Sequence, residues 1–119
     1  MKILLVTLLV SIGLAQEPPI ACNLNALTAA QRHELSRLGD LGVKAVVGSK
    51  ELPDGYSFQI NLPFSEVAQW VDLWRRCCPF YEFQIGVHAD TVWLTLRGGK
   101  GVKEYFPIDA PALAATLRK

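Results

Sequence analysis

Three cysteines are the residues of this chain best suited to chemistry. Cys77 and Cys78 are adjacent, and Cys22 precedes them by more than fifty positions. A bond between adjacent cysteines closes a strained ring, so pairing of Cys77 with Cys78 is disfavoured. In an oxidising compartment we predict a structural disulfide from Cys22 to Cys77 or Cys78, with the remaining thiol buried as a small apolar group.

A soft-metal site is the alternative use of the same sulfurs. Three thiolates could bind zinc, copper(I) or another thiophilic metal, with His33 or His88 completing the set. Adjacent cysteines supply two ligands only if the backbone turns between them, and Pro79 favours such a turn. The structural interpretation requires no cofactor, whereas this one requires zinc or copper(I).

A thiol-redox protein is a second alternative, and helix polarity argues against it. Redox-active thiols commonly lie at a helix N-terminus, where the helix dipole favours the thiolate. The residues before Pro79 have helical periodicity, which places Cys77 at the opposite end of a helix. No serine, histidine and acid pattern has a local catalytic signature, so the sequence identifies no catalytic residue.

Three tryptophans could line an apolar ligand groove: Trp70, Trp74 and Trp93. Trp70 and Trp74 are four positions apart in a helical pattern, and Trp93 lies in a strand pattern. This spacing favours a role in the core.

The first fifteen residues are typical of a signal peptide. Lys2 supplies a positive charge, residues 3–14 form an apolar run, and a small-residue cleavage site ends at Ala15, before Gln16. The run is shorter than the twenty residues or so of a membrane span. We therefore predict a signal peptide at 1–15, an N-terminal arm at 16–26 and a single domain at 27–119, exported to the periplasm or the extracellular space.

The charge balance excludes two classes of partner. The chain has Lys+Arg 12 against Asp+Glu 11, and removal of Lys2 with the signal peptide makes the mature domain neutral. Nucleic acids and anionic lipid surfaces attract clustered excess Lys and Arg. We expect no nucleic-acid partner and no stable membrane span in the mature protein, and the sequence indicates no other partner.

Local signals place two helices and the turn between the first two strands. Thr28 and Gln31 have the spacing of a capping box, and Gly39 or Gly42 is expected to end the helix that starts there. Strands are predicted at 43–52 and 55–62 around Pro53-Asp54-Gly55, with Gly55 at a positive φ. A second helix is predicted from Pro63 to Cys77.

A second hairpin is predicted with a defined register. A symmetric turn at Ala89-Asp90 pairs residues whose numbers sum to 179, so that Ile85 faces Leu94 and Gly86 faces Trp93. A short helix or turn at 102–106 and a last helix opened by Asp109-Ala110-Pro111 follow. The order α-β-β-α-β-β-α predicts an α+β two-layer sandwich, in which two hairpins form a four-stranded antiparallel sheet with helices on one face.

Four stretches carry a resemblance. They are the string from Trp74 to Phe83, which contains Arg75-Arg76-Cys77-Cys78-Pro79-Phe80, and the segments 51–56, 92–96 and 101–104. Together they resemble a group of small, uncharacterised bacterial proteins that share an R-R-C-C-P-F-x-x-F core, an E-L-P-D-G-Y turn, a V-W-L-x-L strand and a G-V-K-E segment. The resemblance covers roughly residues 22–106 and departs at Trp74, where the group has an acidic residue. It implies the same domain and no particular activity.

Overall fold

The fold is α+β, as predicted. A computed structural model describes residues 19–118, so the predicted signal peptide and the cleavage site between Ala15 and Gln16 lie outside the described residues. A 3-10 turn at Leu24–Ala26 precedes the first helix, and a second at Thr116–Arg118 follows the last. Between them lie α1 (Ala29–Lys44), β1 (Val46–Leu52), β2 (Gly55–Ile60), α2 (Phe64–Cys77), β3 (Glu82–His88), β4 (Thr91–Arg97), α3 (Val102–Asp109) and α4 (Pro111–Ala115).

The predicted capping box starts α1. The amide of Gln31 donates to Oγ1 of Thr28 at 3.1 Å, and the amide of Thr28 donates to Oε1 of Gln31 at 2.9 Å. The two bonds satisfy amides that the first helical turn leaves without partners.

The predicted end of α1 was wrong, because the helix continues through Gly39 and Gly42 to Lys44. Gly42 faces α2, and a Cβ there would lie closer than 3.0 Å to three ring atoms of Trp70. This glycine lets two helices approach closely and does not end the first one. Because α1 extends to Lys44, β1 begins at Val46 and not at the predicted residue 43.

The sheet joins the two hairpins side by side in the order β1-β2-β4-β3. All three pairings are antiparallel, and the register predicted for β3 and β4 is confirmed at every pair from Glu82↔Arg97 to His88↔Thr91. In that register Ile85 faces Leu94 and Gly86 faces Trp93.

The turn between β1 and β2 forms at Pro53-Asp54 as predicted, but the role assigned to Gly55 was wrong. Among the described residues Gly101 is the glycine with a positive φ, at 91°. Gly55 is needed for another reason: a Cβ there would overlap the carbonyl oxygen of Leu96 on the neighbouring strand β4. A side chain at this position would push the central strands apart.

The helices cover one face of the sheet. The alternate strand residues on that face include Phe58, Ile60, Leu94 and Leu96, each at most 2% exposed, and α2 adds Trp70, among other buried residues. The other face carries polar side chains, of which Ser57 and Thr95 share a 2.8 Å hydrogen bond across β2 and β4. Within residues 19–118, no helix has the length and apolar character needed to cross a membrane.

The end of α2 sets the position of the cysteines. Cys77 is the last helical residue, and Cys78 is the C-cap with φ −126° and ψ 70°, as the following Pro79 predicts. Both side chains are 1% exposed. The change in backbone direction between them sends the two sulfurs toward different partners.

Candidate functional site

A disulfide between Cys22 and Cys78 joins the N-terminal segment to the end of α2. The predicted disulfide of Cys22 is confirmed in the described residues, with Cys78 as the partner and a Cα–Cα distance of 4.5 Å. The neighbouring amide of Asn23 donates to the carbonyl of Cys77 at 2.7 Å. That carbonyl belongs to the last turn of α2 and would otherwise lack a helical donor. The disulfide and the hydrogen bond therefore dock the segment together.

Cys77 holds the remaining thiol, which is buried. Its Sγ donates to the carbonyl of Trp74 at 3.3 Å and lies 3.5 Å from Sγ of Cys78. Burial raises the pKa of the Cys77 thiol, and the nearby Asp109 carboxylate raises it further. The thiol is therefore protonated at neutral pH, as expected for a small buried group near a helix C-terminus.

Asp109 places a carboxyl group beside the disulfide. It is the last residue of α3, and its Oδ2 accepts hydrogen bonds from Nε1 of Trp74 at 3.1 Å and from the hydroxyl of Tyr81 at 2.9 Å. Its Oδ1 lies 3.0 Å from Sγ of Cys22 and 3.6 Å from Sγ of Cys78. Sulfurs in a disulfide carry no proton, so neither one donates to Oδ1 while the bond is intact.

The electrostatics of Asp109 follow from this environment. Burial raises the pKa of the Asp109 carboxyl, and the hydrogen bonds from Tyr81 and Trp74 oppose that shift. Burial, followed by the charge of Asp109, raises the pKa of Tyr81, so that the phenol stays a proton donor. No described Lys, Arg or His forms a salt bridge with Asp109, which leaves its charge without a counter-ion.

An aromatic cluster holds the two donors in place. The rings of Trp70 and Trp74 stack with centroids 5.3 Å apart and planes at 16°. Tyr81 meets Trp74 edge-on at 5.7 Å and Phe83 at 5.5 Å. Because these rings are packed on several sides, the indole N–H and the phenol O–H are held in orientation toward Asp109.

A cleft of about 390 Å³ opens beside this group. Its walls come from α1, from α2 and from residues 109–113, and the N-terminal segment closes one side with Cys22 and Leu24. Trp70 and Trp74 both line it, and both are also core residues at 4% and 5% exposure. The described structure thus brings together a disulfide, a buried thiol, a carboxyl group and an apolar cleft.

The other predicted site residues lie elsewhere. Trp93 lines a separate cavity with His88 on the opposite face of the sheet, so it does not share a groove with Trp70 and Trp74. His33 and His88 are both exposed. Among the described residues the one group able to offer three metal ligands is Cys22, Cys78 and Asp109, and it contains neither histidine.

Asp109 is the site residue that the sequence did not reveal. The pattern Asp109-Ala110-Pro111 predicted the cap of a last helix, but Asp109 ends α3, Ala110 is the cap, and α4 begins at Pro111. An Asp shortly before a proline commonly signals the start of a helix. No spacing in the sequence links Asp109 to Trp74 or Tyr81. Only the placement of α3 over the end of α2 does so.

Comparisons with protein-family models, with curated proteins and with solved structures found no match to this chain.

Proposed function

We propose that this protein is an exported, non-catalytic domain whose Cys22–Cys78 disulfide is structural. The observation that carries the proposal is the disulfide itself, which is buried at Cys78 and fixes the segment before α1 to the end of α2. Such bonds persist in oxidising compartments. The signal-peptide pattern at 1–15 points to the same destination, the periplasm or the extracellular space.

The state of the sulfurs supports a structural role over redox catalysis. A redox nucleophile must be an accessible thiolate, whereas the Cys77 thiol is 1% exposed and its pKa is raised. It also lies at the C-terminal end of α2, where the helix dipole disfavours negative charge. We expect a dithiol to reduce insulin disulfides at the same rate with the purified domain as without it.

Export is tested by fractionation of a Gram-negative host that expresses the full chain. We expect the periplasmic fraction to contain a protein with the mass of residues 16–119 less two hydrogen atoms, which are lost when one disulfide forms. Leu8→Asp, which breaks the apolar run, should hold the full-length chain in the cytoplasm, whereas Leu8→Ile should not. Full-length, reduced wild-type protein in the cytoplasm would contradict the proposal.

A soft-metal site in the reduced protein is the second candidate. The ligand atoms of Cys22, Cys78 and Asp109 lie within 4.8 Å of one another, and Cys77 places a third sulfur 3.5 Å from that of Cys78. In the oxidised form the disulfide occupies two of the sulfurs. Reduction by a phosphine adds two electrons and two protons, and a bound metal would then displace the thiol protons.

The metal candidate is tested by titration of the phosphine-reduced mature domain with zinc or copper(I) under anaerobic conditions. We expect one metal per chain and its loss in Cys78→Ser, with His88→Asn as a neutral control. Reduced wild-type protein that binds no stoichiometric metal would eliminate this candidate. It would leave the structural role of the disulfide untouched, because that role concerns the oxidised form.

A further inference from the structure

The cleft beside Asp109 has the size and the walls of a small-molecule site. Its volume of about 390 Å³ falls within the range of ligand pockets, roughly 300–1,000 Å³. Apolar side chains from three helices line it, among them Leu35 and Val43 of α1, Trp70 of α2 and Leu113 of α4. A ligand with a hydrocarbon or aromatic body would bury its apolar surface there.

The charges in the cleft have one sign. The carboxyl groups that line it are those of the half-buried Asp109 and the exposed Asp40 of α1, and within residues 19–118 no Lys, Arg or His lines it. An anionic ligand would therefore be repelled. A cationic ligand would meet two carboxylates, and its attraction to the half-buried Asp109 is less screened than its attraction to the exposed Asp40.

One oxygen of Asp109, Oδ1, has no hydrogen-bond donor among the described residues. Its Oδ2 has two, but the described neighbours of Oδ1 are the sulfurs of Cys22 and Cys78, which cannot donate as a disulfide. Asp109 is half-buried, and an acceptor without a protein donor and a charge without a counter-ion both cost stability where water is partly excluded. One N–H group of an ammonium ion would supply the donor and the counter-charge together.

We propose that this cleft binds a small organic cation, in which a protonated primary amine donates to Oδ1 of Asp109 and an apolar body packs against Trp70 and Leu113. The disulfide contributes to the preference for an amine. Because it removes the thiol protons of Cys22 and Cys78, it leaves Oδ1 to the ligand. Reduction would return two internal donors to the carboxylate and weaken the binding of the amine.

The test uses the oxidised mature domain and three probes that share one aromatic body: 4-phenylbutylamine, 4-phenylbutanol and 4-phenylbutyrate. Affinities are measured at pH 7 by calorimetry, and the site is identified from NMR shifts of the indole N–H of Trp74. We expect the amine to bind about tenfold or more tightly than the alcohol, as a charge-assisted hydrogen bond provides, and the carboxylate to bind most weakly.

Two variants and one control test whether Asp109 causes the preference for the amine and whether the probes bind in this cleft. Asp109→Asn should remove most of the preference for the amine over the alcohol, while Asp40→Asn, at an exposed and screened position, should change it less than threefold. Gly39→Leu should abolish binding of all probes, since Gly39 lines the cleft and a Cβ there meets only Nε1 of Trp70 at 3.8 Å. This third variant keeps the site testable if Asp109→Asn fails to fold.

Three results would overturn the proposal. The first is an alcohol or carboxylate that binds as tightly as the amine. The second is an amine affinity that Gly39→Leu leaves unchanged, which would place the probe elsewhere. The third is the absence of binding by all three probes. None of these results bears on the structural role of the disulfide, which is tested without a ligand.

Discussion

Oδ1 of Asp109 lies 3.0 Å from Sγ of Cys22, although 87 positions separate the two residues. The contact joins the start of the described chain to the end of α3, and both residues meet at the C-terminal end of α2. The oxidation state of Cys22 and the protonation state of Asp109 are therefore physically linked. A thiol at Cys22 would donate to this oxygen, whereas the disulfide does not.

Loss of the disulfide should be the largest cysteine effect on stability. Cys22→Ser opens a covalent loop with a sequence separation of 56, and we expect it to lower the free energy of unfolding by about 2–4 kcal/mol. Cys77→Ala is the control, since it removes a small buried group but keeps the loop, and should cost about 1 kcal/mol. Urea denaturation of the oxidised proteins measures both. A Cys22–Cys77 peptide in a digest of the wild type would contradict the pairing.

Two glycines of α1 should respond to alanine in opposite directions. At Gly42 a Cβ would overlap the ring of Trp70, so Gly42→Ala should destabilise the domain by about 1–3 kcal/mol through overpacking. At Gly39 the nearest atom, Nε1 of Trp70, is an ordinary 3.8 Å away, so Gly39→Ala should stabilise it by about 0.5–1 kcal/mol through helix propensity. Thermal unfolding measures the change in stability of both variants. Equal changes in the unfolding free energy would refute the close packing of α1 on α2.

Asp109 should make stability fall as pH rises. Its pKa is raised in the folded state, so between the unfolded and folded pKa values the native protein keeps a proton that the unfolded chain has lost. The unfolding free energy then decreases across that window, which starts near pH 4, and levels off above the folded pKa. Denaturant unfolding of wild type and Asp109→Asn at several pH values isolates the effect. We expect the unfolding free energy of the wild type to fall relative to that of Asp109→Asn as the pH rises. A relative rise would refute the assignment.

Tyr81→Phe should raise the pKa of Asp109 further. The phenol donates to Oδ2 at 2.9 Å, and its loss removes a hydrogen bond that favours the charged carboxylate. We expect a higher midpoint for Asp109 in carboxyl-carbon NMR titrations and a loss of about 1.5–3 kcal/mol in stability above that midpoint. Tyr105→Phe is the matched control, because Tyr105 packs against Phe80 and does not bond Asp109. An unchanged midpoint in Tyr81→Phe would show that the phenol does not act on the carboxylate.

The parts of the fold that depend on short-range rules were predicted from the sequence. The capping box of Thr28 and Gln31 depends on residues three positions apart, and the β3–β4 register follows from the turn at Ala89-Asp90 and a period of two. The C-cap at Cys78 follows from the next residue, Pro79. In each case the determining residues are close neighbours in the chain or in one hairpin.

The errors arose where a residue's role depends on a distant partner. Gly42 has the composition of a helix stop, but Trp70 of another helix makes it a packing position. Gly55 has the composition of a positive-φ turn residue, but Leu96 of β4 makes it a point of close approach. Neither partner is visible in the local pattern.

The site divides in the same way. Cysteine number and spacing predict a disulfide of Cys22 and leave its partner open between the neighbours Cys77 and Cys78. The tertiary structure selected Cys78, because the backbone leaves the helix there and turns that sulfur toward the N-terminal segment. It alone placed Asp109 against the disulfide, Trp74 and Tyr81, since these side chains come from four separate segments that only the packing of the helical layer brings within hydrogen-bond range.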